Sequence, residues 1–292
     1  MSREGIIIKG IGSFYYVLEP NEVVTECRLR GNFRNKKIVP AVGDRVEFTD
    51  EGNDGAVIVK VHERLSYLTR PVVANATQAI VVCAIKEPEL SFLLLDKMLI
   101  HNSYCGLKSI VCFNKTDLAS EEEISHIMET YKDCGAKLIF ISAVQDDSVE
   151  VVKELLSGHI TVLSGVSGAG KSTLLNRLLD RMMMQTGEVS HKIKRGRHTT
   201  RHSEILMVDK NSFIMDTPGF STLTIDNIPC EKICDYYDDF YEFSDCAFSS
   251  CVHLKEPKCR VKKALDEGKI SKLRYENYIT IYEEAKKSFK KY

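Results

Sequence analysis

Short β-patterned runs fill the first 62 residues, at 5–11, 13–19, 23–29, 45–49 and 56–61. Gly, Pro, Asn and Asp punctuate them, and no helical period intervenes. Five short strands of this kind predict a small barrel, and the OB-fold is the commonest five-stranded solution. Residues 64–73, with Pro71, read as a linker. Beyond it the pattern changes to continuous apolar runs separated by helical periods. Strands are predicted at 78–84, 108–113, 137–141 and 159–164, alternating with helices at 91–105, 121–133, 149–156 and 171–182. Such alternation predicts a mainly parallel sheet covered on both faces. A hairpin is expected from 204–208 and 212–215. After residue 225 the chain turns acidic, aromatic and cysteine-bearing, and it closes on a predicted helix over 271–291. The domains expected are a barrel at 1–65, a sheet domain at 66–225 and a helical C-terminal domain at 226–292.

The chain has 292 residues, 43% hydrophobic and 28% charged, the composition of an ordinary globular protein. Its formal net charge of −1 argues neither for nor against nucleic acid, but the charges are clustered. Lys192, Lys194, Arg195, Arg197 and Arg201 crowd one stretch, and Arg28, Arg30, Arg34, Lys36 and Lys37 fall on one strand of the barrel and its loop. Acids dominate from 226 to 245. Each run is a solvated face or, for the basic ones, a surface for RNA. No secretory signal is apparent in residues 1–10, which lack a continuous apolar core and a small-residue cleavage site. The most apolar helical stretch, 91–100, carries Asp96 and Lys97 and is too short to span a bilayer. A cytoplasmic protein without a membrane partner is expected, and in that compartment ten cysteines should be reduced. Clustered ones are then metal ligands before they are disulfides.

Residues 165–172, Gly165-Val166-Ser167-Gly168-Ala169-Gly170-Lys171-Ser172, match the phosphate-loop pattern. They follow a predicted strand and open a predicted helix, which is the context the motif requires. The loop's backbone N–H groups, the helix N-terminus at Ser172 and Thr173, and the Lys171 ammonium should cradle phosphates, with the Ser172 hydroxyl on Mg²⁺. Asn114-Lys115-Thr116-Asp117 ends another strand. Its Asp117 carboxylate could accept hydrogen bonds from guanine N1–H and the 2-amino group, which adenine cannot supply. Asn114 would tie that loop to its neighbours, Lys115 would lie over the base, and Ser142-Ala143 would offer a backbone N–H to guanine O6. Asp216 ends a strand as a magnesium-holding Asp does, and the Gly219 N–H is placed to sense a γ-phosphate. Thr199 or Thr200, with Thr200 preferred, would close over Mg²⁺. Phe220 stands where small GTPases carry a water-orienting Gln, so His198 or a partner's group must take that part. The order is unusual: the guanine loops precede the phosphate loop, which implies a circularly permuted domain.

A second cluster, Cys246, Cys251, His253 and Cys259, offers three thiolates and an imidazole within fourteen residues. That donor set suits a closed, tetrahedral, structural Zn²⁺ site. The remaining cysteines, Cys27, Cys83, Cys105, Cys112, Cys134, Cys230 and Cys234, are expected as core thiols.

In the order of these motifs, in Gly196-Arg197-His198-Thr199-Thr200 and in the flanking domains, nearly the whole chain resembles the circularly permuted small-subunit ribosome biogenesis GTPases called RsgA, also YjeQ or YloQ. The resemblance implies GTP hydrolysis, one structural zinc, and binding to the small ribosomal subunit during its late maturation, with the ribosome stimulating hydrolysis; contact with 16S rRNA and a monomeric state are expected. The competing class is a nucleotide-gated RNA-binding module in which hydrolysis is incidental. A P-loop ATPase is disfavoured by Asp117.

Overall fold

The computed structural model describes residues 2–30, 39–52, 55–69, 71–145, 147–186, 204–216, 225 and 227–289. The predicted sites at His198, Thr199, Thr200 and Gly219, together with Phe220, the basic stretch around residue 195 and Arg34, Lys36 and Lys37, lie outside the described residues. Contacts divide the chain into two compact units. One comprises Met1–Gln78, Val149–Leu163 and Leu175–Pro218, the other Ala79–Ser148, Ser164–Leu174 and Gly219–Tyr292.

The first unit begins with five strands, β1 (Arg3–Ile11), β2 (Phe14–Leu18), β3 (Val24–Leu29), β4 (Arg45–Asp50) and β5 (Ala56–Val61). They close into a barrel in the order β1-β2-β3-β5-β4, with β3 and β5 parallel and every other pair antiparallel. Alternation does the sorting: Ile7, Val17, Cys27, Val46, Phe48 and Ile58 point inward and are buried, while Val24, Glu26 and Arg28 on β3 face out. Arg28 stacks its guanidinium over the Phe14 ring, 4.9 Å from the centroid.

The expected linker is instead a two-stranded hairpin, β6 (Tyr67–Thr69) and β7 (Val72–Ala74). Three-residue strands are too short to display an alternation. The segment is pinned by the bidentate pair of Arg64 with the fully buried Asp44, at 2.8 and 2.7 Å, and by Gly43. A Cβ on Gly43 would stand 2.1 Å from the Ala74 carbonyl oxygen, and its φ is +91°, so only glycine fits there.

The α/β region contains β8 (Gln78–Ala84), α1 (Phe92–Tyr104), β9 (Lys108–Asn114), α2 (Glu121–Tyr131), β10 (Lys137–Phe140), α3 (Asp147–Leu156), β11 (Ile160–Gly165), α4 (Lys171–Thr186), β12 (Leu206–Asp209) and β13 (Ser212–Asp216). Its sheet runs β10-β9-β8-β11-β13-β12, with β12 antiparallel to β13 at one edge. Every residue of β8 and β11 is buried, as their continuous apolar runs require of central strands. The chain's direction through the sheet reverses between β8 and β11, and open α/β sheets take their ligands at such switch points. A reciprocal capping box fixes the start of α2: Ser120 N–H donates to Glu123 Oε2 at 2.8 Å and Glu123 N–H to Ser120 Oγ at 3.2 Å.

In the second unit two 3₁₀ segments, Cys230–Tyr236 and Asp238–Phe243, precede α5 (Arg260–Asp266) and α6 (Lys272–Phe289). Their core gathers Ile228, Ile233, Tyr237, Phe240, Val261, Tyr278 and Ile281, and it includes Ile100 of α1. Among the described residues, no helix is long and apolar enough to cross a membrane.

Candidate nucleotide site and metal centre

The phosphate loop leaves β11 at Gly165 and enters α4 at Lys171, as the pattern predicts. Gly165, Gly168 and Gly170 have φ of +134°, +79° and +93°. A Cβ on Gly165 would lie 2.0 Å from the Val82 carbonyl oxygen of β8, so the loop's first glycine lets it leave against a neighbouring strand. The Lys171 side chain is buried and folds back over the loop, its ammonium donating to the carbonyls of Gly165 at 2.7 Å and Val166 at 2.8 Å. Ser167 and Gly168 at the loop's crest, and Ser172 and Thr173 in the first turn of α4, are exposed. Asp216 ends β13 in register with Leu163 of β11.

Asn114 is the residue that joins the loops. It is 2% exposed, its Nδ2 donates to the Ala169 carbonyl of the phosphate loop at 2.8 Å, and its Oδ1 accepts the Ala143 N–H at 2.8 Å. One amide thus holds the phosphate loop and the Ser-Ala loop together. The Ala143 N–H, one of the two backbone donors of the Ser142-Ala143 pair expected to serve guanine O6, is used in this brace. Asp117 is exposed, and its Oδ1 accepts the Ser142 hydroxyl at 2.5 Å, which orients the carboxylate. Lys115, in the left-handed conformation at φ 64°, sends its ammonium to the Glu87 carbonyl. Neither Glu87 nor Pro88 was read from the sequence as part of this region, yet Pro88 Cδ lies 3.3 Å from where a Gly168 Cβ would stand. The Pro-bearing turn directly after the β8 strand was the signal available.

The brace gives a direct expectation. A Cβ on Gly170 would lie 2.1 Å from Asn114 Nδ2, and the site's φ already disfavours any side chain. Gly170→Ala should therefore expel the Asn114 amide, leave buried groups unpaired and lower stability by on the order of 3 kcal/mol. Denaturant unfolding without nucleotide checks this; a change within 0.5 kcal/mol, roughly that of an ordinary surface substitution, would contradict it.

The predicted metal ligands come together. The donor atoms of Cys246, Cys251, His253 and Cys259 all lie within 4.8 Å of one another. Zinc bond lengths of about 2.3 Å to sulfur and about 2.0 Å to nitrogen set tetrahedral edges of about 3.8 Å between sulfurs and about 3.5 Å between sulfur and nitrogen. Cys246 and Cys259 Sγ are 3.9 Å apart, and His253 Nδ1 lies 3.7, 3.4 and 3.3 Å from the three sulfurs. Burial pushes the Cys251 thiol up to about 12 and holds the His253 imidazole below its ordinary value. A divalent cation reverses the thiol's preference and makes the thiolate the favoured form, and it binds the imidazole in the neutral form that burial already favours. The donor set therefore suits a structural zinc. Around it, Glu256 accepts the N–H groups of Val252, Leu254 and Lys255 at 3.1, 2.8 and 3.0 Å, and Tyr275 donates to the His253 carbonyl at 2.6 Å. The hydroxyl of Tyr278 holds the Val252 carbonyl. Of the other cysteines, Cys27, Cys83, Cys112, Cys134 and Cys230 are buried thiols as expected, while Cys105 and Cys234 are half-buried.

Residues 61–226 match the model of the RsgA GTPase domain, and residues 4–58 that of the RsgA N-terminal domain. A protein of Clostridium perfringens (strain SM101 / Type A) named small ribosomal subunit biogenesis GTPase RsgA is 50% identical over 282 residues, 96% of this chain and 97% of that one. The chain belongs to the RsgA GTPase family. An RsgA of the same name from Clostridium novyi (strain NT) is 48% identical over 96% of this chain and 97% of its own. Two crystal structures share the fold at 33% identity. YjeQ from Thermotoga maritima has a TM-score of 0.85, with 98% of this chain and 99% of that one covered. YloQ, described as a circularly permuted GTPase, has a TM-score of 0.82 over 98% and 96%. The motif order of the RsgA chain is thus carried by a fold already seen in that permuted form.

Proposed function

We propose that this RsgA family member hydrolyses GTP to GDP and phosphate while bound to the small ribosomal subunit, that it acts late in the subunit's maturation, and that the subunit stimulates hydrolysis. The observation that carries this reading is the Asn114 brace, which ties the 114–117 loop to the phosphate loop and to the Ser-Ala loop. Asp117, held by Ser142, would accept from guanine N1–H and the 2-amino group. Lys115 would cover the base from the side fixed by the Glu87 carbonyl. Thr116 and Ala143 complete the base loops.

The N–H groups of 165–170 and the α4 N-terminus would cradle the β-phosphate, and Lys171, leaning over the loop, would reach the β- and γ-phosphates. Mg²⁺ would be held by Ser172, Thr200 and Asp216, and it supplies charge neutralisation between the β- and γ-phosphates. Gly219 would sense the γ-phosphate, and His198 or a group of the subunit would orient the attacking water. The Cys246, Cys251, His253 and Cys259 centre would hold one Zn²⁺ that shapes the C-terminal domain without chemistry of its own. Domains at 1–65, 66–225 and 226–292 would bind 16S rRNA, turn over nucleotide and carry the zinc, in a cytoplasmic monomer without a membrane partner. Arg28 and Arg30, exposed on the barrel, support an RNA-facing surface.

Single-turnover hydrolysis, measured with and without purified small subunits, tests the proposal. The rate should rise by at least about 100-fold with subunits, and Lys171→Ala should abolish the rise while leaving the fold intact. Equal rates with and without subunits would leave only a nucleotide-gated binding module.

A further inference from the structure

One charged network in the second unit has no part in nucleotide or metal chemistry. Arg274 of α6 is 2% exposed and Asp96 of α1 is fully buried. The Arg274 guanidinium grips Asp239 through Nε and Nη2 and reaches Asp96 Oδ1 through Nη1. Asp96 also accepts the Tyr131 hydroxyl at 2.8 Å, the Tyr237 hydroxyl at 3.5 Å and Asn277 Nδ2 at 2.7 Å. The rings of Tyr237 and Tyr131 flank the guanidinium, with centroids at 4.6 and 5.0 Å. Four elements, α1, α2, the 238–243 turn and α6, therefore meet at one buried cation.

Stability alone does not explain such a centre, because apolar residues of the same volume would do as well or better. What a guanidinium that must meet two carboxylates supplies is a single docking register. Helix α1 has an apolar face on either side of Asp96: Leu95, Met98 and Leu99 pack into the core around β8 and β9, while Leu93 and Ile100 pack into the C-terminal core. Two apolar faces alone would tolerate sliding. The turn leading into α1 also borders the phosphate loop. Pro88, Leu90 and Leu94 share with Cys83, Val166 and Ser167 a cavity of about 250 Å³. Asp96 lies two residues beyond Leu94, so α1 touches the phosphate loop's surroundings at its start and the C-terminal region through Asp96.

We propose that Arg274 is a positioning residue that couples the zinc-bearing C-terminal region to the phosphate loop through α1. The proposal rests on the nucleotide-site reading above. Because coupling is reciprocal, a nucleotide that shifts the phosphate loop must change how firmly α6 is docked.

Hydrogen exchange of the 272–289 and 230–243 amides in the full-length protein reads this directly, with GDP and with a non-hydrolysable GTP analogue. In the parent, protection should differ between the two nucleotides by about fivefold or more. In Arg274→Met and in Asp96→Asn the ratio should fall to about one, while zinc content and GDP affinity stay at the parent's level. A role confined to stability would lower protection equally in both nucleotides and leave the ratio unchanged. Equal protection in the parent, or a variant that keeps its ratio, would overturn the proposal. If both variants fail to fold, Tyr131→Phe, which removes one donor to Asp96, should shrink the ratio; an unchanged ratio there overturns it as well. The measurement needs only nucleotide binding, so loss of subunit-stimulated hydrolysis would sink the proposed function without touching this result.

Discussion

Cys251→Ser should strip the metal from the C-terminal region and unfold it from about residue 245 onward. A serine hydroxyl stays protonated at neutral pH and does not replace a thiolate. Metal coordination of this kind contributes on the order of 10 kcal/mol of apparent binding free energy, which in small domains is folding free energy. Glu256, and Tyr275 and Tyr278, whose hydroxyls grip the backbone of His253 and Val252, also tie the 246–259 segment, but these bonds do not replace a lost metal ligand. Elemental analysis of protein prepared without chelators should give about one zinc per parent chain and almost none in the variant, and association with small subunits should weaken sharply. GDP affinity should change by less than about tenfold, since Asn114, Asp117 and Lys171 make their contacts elsewhere. Parent protein free of zinc, or a variant with an intact C-terminal region, would rule out a structural metal.

The second large effect concerns the base. Asp117→Asn removes one acceptor and presents an N–H₂ to the guanine 2-amino group, so GTP affinity should fall by roughly 2–4 kcal/mol. The Ser142 hydroxyl can still donate to the amide oxygen, so the loop should keep its shape. Xanthine carries a carbonyl where guanine carries the 2-amino group. Xanthosine triphosphate should therefore lose nothing or gain in the variant. Competition binding of the two nucleotides decides the matter, and unchanged GTP affinity would mean that Asp117 does not read the base.

The sequence made the sheet and its loops legible because they obey local rules. Strands buried on both faces must be apolar throughout, and a phosphate loop must place glycines where φ turns positive, so β8, β9, β11 and residues 165–172 lie where the pattern put them. The tie from Asn114 to its neighbours was foreseen for the same reason. Its actual partner at Ala143 was not, since nothing in the residue type says whether a backbone N–H faces a base or a side chain. The β6–β7 hairpin was hidden by its brevity. The Arg274 network was hidden by distance along the chain: Asp96 stood out as a charge in an apolar run, but its partner lies 178 residues later. A clue was present in the acidic 226–245 stretch, where Asp239 turned out to face inward while Asp238, Glu242 and Asp245 did not.

The Asn114 brace also sets a timetable for synthesis. Its two partners are made 29 and 55 residues after the asparagine itself. Until Ala169 has emerged, the Nδ2 donor of an amide destined for near-complete burial lacks its partner, and β8 lacks the central strand β11 that must lie beside it. Parallel pairings between such distant segments form late and slowly. A nascent chain of this protein should therefore hold β8, β9 and β10 as a loose, apolar half-sheet through much of translation, exposed to chaperones. It should become protease-resistant only once β11 and β13 have cleared the exit tunnel. An unpermuted chain, in which the phosphate loop comes first, would already have its central strand in place when the base-reading loops arrive.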